Sequence, residues 1–158
     1  MGCWDGRRHR NVFWSRSLNL ARGFLAESRQ DVQIQRWRSA VDNAQLAVEN
    51  AAKAVLALLA PLGRTHNPAP LLREALAAGH FSHEHAARFQ RLAECAEELG
   101  FDVHVQTDYG DETSGLIPMT CEHAAWSPRA ARGVLRDPLR FLAALGMTSM
   151  RHLQSSLV

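Results

Sequence analysis

WRSAVDNAQLAVENAAKAVLALLAPLGRTHNPAPLLREAL, residues 37–76, decides the fold. Trp37, Val41, Ala44, Val48, Ala51, Val55 and Leu58 recur at alternating steps of four and three, so they share one face of a helix. Gln45, Glu49 and Lys53, four apart, form a polar stripe elsewhere on the same helix. Pro61 and Gly63 end it, a short loop carries His66, and Pro68 is placed to open a second helix running to Gly79. The segment therefore reads as helix, turn and helix. Ala40, Ala44, Ala47, Ala51 and Ala54 leave room for another helix to come close.

Working outward, the same punctuation recurs. Trp14, Leu18, Ala21 and Leu25 predict a helix over 14–28, with a turn at Gln30–Asp31 before the long helix at 33–60. Ser82 is a candidate N-cap for a helix to Leu99 with Phe89, Leu92, Ala96 and Leu99 inward, and Gly100 stops it. Residues 100–126 show little helical period and read as a long ordered loop. Ser127–Pro128 begin a last helix, which Asp137–Pro138 kinks or restarts. The expected architecture is an all-α, antiparallel bundle of four to five helices. Residues 1–12 are expected to be a basic, flexible N-terminus, 13–146 the helical domain and 147–158 a tail.

Composition bounds the function. The 158 residues suffice for one domain with a core, and an apolar share of 46% is ordinary for a globular chain. A net charge of +2 does not force a nucleic-acid partner. Residues 92–128 lack Lys and Arg but hold Glu94, Glu97, Glu98, Asp102, Asp108, Asp111, Glu112 and Glu122. That acidic stretch could pair with basic residues within the fold or across a dimer. The N-terminus has charges with no apolar stretch behind them, unlike a signal peptide, and position 6 is glycine where a myristoylation motif wants Ser or Thr. The best apolar run, Ala54–Ala60, is far short of a bilayer span. Three scattered cysteines, at 3, 95 and 121, have neither metal nor disulfide spacing. A reduced, cytoplasmic protein is the expectation.

Gln45, Ala47, Val48, Glu49, Lys53, Ala54 and Leu56, followed by Thr65, His66, Leu71 and Leu72, resemble the central helix and loop of the HEPN family, the higher eukaryotes and prokaryotes nucleotide-binding domains. Asp108, Tyr109, Gly110 and Asp111 stand where this branch often carries an Arg-Tyr-Pro-Asp element; the tyrosine and final aspartate match, the arginine and proline do not. The resemblance covers roughly residues 15–145. It implies a HEPN-like helical bundle that dimerises, with Glu49, Lys53, His66, Tyr109 and Asp111 as candidate ligand- or partner-binding residues. It also suggests pairing with a minimal nucleotidyltransferase in a toxin–antitoxin type system. The alternatives are a metal-independent ribonuclease toxin acting on RNA, and a non-catalytic nucleotide- or RNA-binding domain.

Many family members cleave RNA with an arginine and a histidine separated by four to six residues, meeting across a dimer. Imidazole can move protons near neutral pH while guanidinium steadies phosphate charge. Arg73 and His80 have this spacing, but Glu74 replaces the usual polar residue, the pair precedes the wrong helix, and a few such spacings arise by chance. Whether the chain is an enzyme is therefore left open, with Arg73 and His80 as the catalytic candidates if it is.

Three further patterns have a plain reading beside a functional one. His66, before the helix opened by Pro68, could hold an anion or merely fix the turn. Arg129, Arg132, Arg136 and Arg140 form one basic stripe that could contact RNA phosphates, or a solvated face complementing the acidic stretch. His80, His83 and His85 could capture a metal adventitiously; no complete metal or cofactor site is expected. Glu-x-x-His pairs are missing, which argues against a di-iron oxidase.

Overall fold

The computed structural model describes residues 6–100 together with 102, 103, 105, 135 and 136, with side chains from residue 12 onward. Among these the chain is all-α, as expected: α1 (Gly6–Gln33), α2 (Trp37–Leu59), α3 (Ala69–Ala77) and α4 (His83–Glu98), with no strand. Helix α2 is the hub, packing against α1, α3 and α4. Its seam of Trp37, Val41, Ala44, Val48, Ala51 and Val55 is buried, with Leu58 half-buried at the end. Ala40, Ala47 and Ala54 are buried as well, and α1 lies along α2 as an antiparallel hairpin partner. The core is completed by Leu18, Ala21 and Leu25 of α1, Leu72 of α3, Phe89, Leu92 and Ala96 of α4, and Leu135. Phe81 and Phe89 meet edge-to-face with centroids 4.6 Å apart. Among the described residues, no helix is long and apolar enough to cross a membrane.

The α1–α2 turn lies later than the sequence suggests. Helix α1 reaches back to Gly6 and runs through Gln30 and Asp31 to Gln33, so that α2 starts at Trp37 rather than near residue 33. Asp31 is the reason. Instead of capping a turn it is buried, accepting a hydrogen bond from Asn43 Nδ2 at 2.9 Å and facing Arg36 at 3.6 Å. One turn earlier, Ser28 Oγ donates to the Ala40 carbonyl across the helix pair at 2.7 Å, with Ser28 wholly buried. These bonds keep the last turn of α1 wound until its polar groups are satisfied.

Helix α1 then ends on a residue poorly suited to the task. Gln35 has a φ of 62°, the left-handed region. Its N–H donates to Val32 O, and Arg36 N–H donates to Asp31 O, the paired bonds of a Schellman stop. Helix α3 ends in the same way, with Gly79 N–H to Leu76 O and His80 N–H to Ala75 O, but there the left-handed residue is glycine, φ 71°. Pro68 precedes α3 and Pro70 sits in its first turn, where a missing N–H loses no helical bond. Ser82 caps α4 as expected from sequence, but its hydroxyl meets His85 Nδ1 at 2.8 Å rather than a backbone N–H.

Replacing Gln35 by glycine removes the left-handed strain from an exposed side chain. Chemical denaturation should show Gln35→Gly more stable by about 0.5–1 kcal/mol. A destabilised variant would mean that the Gln35 side chain makes a contact that matters.

Candidate functional site

The polar stripe of α2 is inside the protein. Gln45 is 2% exposed and Glu49 5% exposed, which excludes a solvated ion pair. Both are drawn in because α2 is packed on several sides, so a line about a third of a turn from the apolar seam still falls beneath a neighbour. The Glu49 carboxylate is served from three directions. Gln45 Nε2 donates to Oε2 at 3.0 Å, Lys53 Nζ donates to Oε1 at 2.5 Å, and His66 Nδ1 lies 3.5 Å from Oε1. The first two come from one turn before and one turn after on the same helix, the spacing that sets side chains side by side. His66 arrives from the loop between α2 and α3 and is largely exposed, 73% by side chain.

A buried carboxylate lacking a cation would be costly, and Lys53, itself mostly covered, places its ammonium against Glu49. The loop above presents donors outward. Arg64, His66 and Asn67 are exposed, and Asn67 N–H donates to Thr65 Oγ1 at 3.1 Å, tightening the bend. The arrangement is a buried anion capped by an exposed imidazole, next to an exposed guanidinium. Such a surface can receive a carboxylate or a phosphate from a partner, with His66 lying over Glu49. In the sequence, Glu49 and Lys53 stood out by their i,i+4 spacing and His66 by the family resemblance. Gln45 was visible as a member of the stripe, but its burial depends on helices far away in sequence.

Arg73 and His80 occupy a different place. On α3, Arg73 is clamped by Glu97 of α4 through Nε to Oε1 at 2.8 Å and Nη2 to Oε2 at 2.7 Å, a two-pronged pairing. The clamp raises the Arg73 pKa, chiefly through that hydrogen bond, and holds the Glu97 carboxyl below its ordinary value for the same reason. His80 is exposed at the end of α3, where its backbone closes the Schellman stop. Glu94 and Glu98 likewise find local cations. Glu94 accepts from Arg91 at 2.8 Å, which with Gln90 lowers its pKa, and Glu98 lies 3.7 Å from Arg91. This part of the acidic stretch is thus answered within α3 and α4.

His80 and His83 are exposed, and His85 bonds Ser82 and stacks near Phe89 at 6.0 Å between centroids. Among the described residues, no three metal-binding side chains come together. Cys95 is buried. Of the basic stripe, Arg136 is described and exposed; Arg129, Arg132 and Arg140, like Tyr109 and Asp111, lie outside the described residues.

The HEPN domain family model matches residues 14–143, well over half of the chain. No curated protein and no solved structure matches it.

Two tests follow from this geometry. Lys53→Met leaves the Glu49 carboxylate buried without its cation and should lower stability by about 3 kcal/mol. The double variant Glu49→Gln/Lys53→Met should lose less than Lys53→Met alone in equilibrium unfolding; a loss equal to the sum of the two single variants' losses would mean that the two side chains are uncoupled. Glu97→Gln tests the clamp. The lowered carboxyl pKa makes its stabilisation complete above the unfolded-chain value of about 4.3 and lost as pH falls through the folded value. Wild type should therefore exceed Glu97→Gln in melting temperature at pH 7, with the gap closing in acid; a pH-independent gap would rule the clamp out as its source.

Proposed function

The chain belongs to the HEPN family, and we propose that it works as a dimeric binding module within the cytoplasm. Its partner in this reading is a minimal nucleotidyltransferase, the two forming a toxin–antitoxin type system. Family membership supports the broader statement, a helical module of the nucleotide- and RNA-related kind. What favours binding over cleavage is the state of Arg73. Its guanidinium is engaged edge-on by Glu97, so an RNA phosphate would have to displace a two-pronged carboxylate before Arg73 could serve it.

In this reading the partner contacts the loop over Glu49. Arg64 and His66 supply outward donors, and the Glu49–Lys53 pair holds the loop's histidine in place from beneath. Tyr109 and Asp111 are proposed to extend the same binding surface. No metal or cofactor has a role in it.

Affinity purification of the tagged full chain from its native cells, with protein and RNA both identified, tests the reading. A small nucleotidyltransferase should co-purify and be lost when Arg64 and His66 are both changed to Glu. Recovery of shortened RNA without any protein partner, abolished by His80→Ala, would overturn it in favour of a ribonuclease.

A further inference from the structure

Helix α1 is buried along one side only. Leu18, Ala21, Leu25 and Ser28 face α2. Val12, Arg16, Leu20, Gly23 and Glu27 recur at steps of four, four, three and four and fall on the opposite side. With Phe24 at its edge, this side forms a shallow groove of about 520 Å³. Val12 is 63% exposed and Leu20 42%, two large apolar side chains open to solvent on this one face. At Gly23 an added Cβ would meet nothing within 4 Å, so the glycine is an open notch in an otherwise continuous ridge.

We infer that this face of α1 docks against the same face of a second copy of the chain, antiparallel and about a twofold axis. The inference rests on the dimer reading above and supplies its surface, because the alanine seam of α2 is used up inside the chain. The argument is self-complementarity. The midpoint between Leu20 and Gly23 and the midpoint between Arg16 and Glu27 are the same point on the helix, between Ala21 and Arg22. An axis there sets each Leu20 opposite the notch at Gly23 of the other copy, and each Arg16 opposite a Glu27, as an isologous interface requires.

The charges support the same occupant. Within one chain Arg16 and Glu27 stand about 16 Å apart along the helix and cannot pair with each other. Neither has an ion-pair partner among the described residues. Pairing across the axis satisfies both, twice over. An RNA backbone or an anionic membrane would instead call for one sign of charge along the groove.

Sedimentation velocity of the full chain at low salt tests this surface. Wild type should sediment as a dimer of the 17.6 kDa chain. Arg16→Glu or Glu27→Arg alone sets like charges across the axis and should weaken self-association by about tenfold or more, whereas the two together should restore it. Gly23→Gln fills the notch with a better helix former, so loss of the dimer there cannot be ascribed to a weakened helix. A dimer indifferent to Gly23→Gln and to both single reversals would overturn this surface and leave the dimer reading standing. A wild-type monomer at micromolar concentration would overturn both.

Discussion

Helix α2 can be approached from several sides because alanine lines so much of it. Ala40, Ala44, Ala47, Ala51, Ala52 and Ala54 are at most 3% exposed, and their short side chains let α1, α3 and α4 pack close against one rod. Larger residues at these positions would push a neighbour away and open the far side of the helix to water. The burial of the polar stripe depends on that closeness. Gln45 and Glu49 are indoors only because the helices around α2 leave little of its circumference uncovered.

The consequence for function is that the Glu49–Lys53 stretch of α2 is not a surface. A carboxylate at 5% exposure persists when a cation and hydrogen-bond donors are built around it, and Lys53 and Gln45 do this within two turns of the same helix. The exposed partner is His66, so the loop, not the helix, meets the solvent. A different logic governs α3 and α4, where Arg73 is held by Glu97 and Arg91 by Glu94 and Glu98 on the outside of the bundle. The Arg73–Glu97 contact ties α3 to α4 and occupies the guanidinium that a phosphate would otherwise find.

Much of this was legible in the sequence. The seam of α2, the inward residues of α4, the Pro68 start of α3 and the Ser82 cap all follow from local spacing and turn chemistry, which act within a few residues. The grouping of Glu49, Lys53 and His66 followed from the family resemblance and the i,i+4 rule. What could not be read was anything fixed by distant partners. Asp31 looked like a turn residue until Asn43 and Arg36 were brought to it, and Gln35 gives no local sign of a left-handed stop. The burial of Gln45 and Glu49 had no local sign either, because helical periodicity records one buried face, while α2 is covered on more than one. The pairing of Arg73 with Glu97 joins residues 24 apart and has no short-range signal.

The guanidinium of Arg73 is committed to the fold, and the function proposed for the chain is binding rather than cutting. Incubation of the purified protein with a mixed RNA pool in the presence of a metal chelator tests this most directly. Intact RNA, for wild type and for Glu97→Gln alike, is the result predicted. Cleavage by wild type that disappears in both Arg73→Ala and His80→Ala would contradict it.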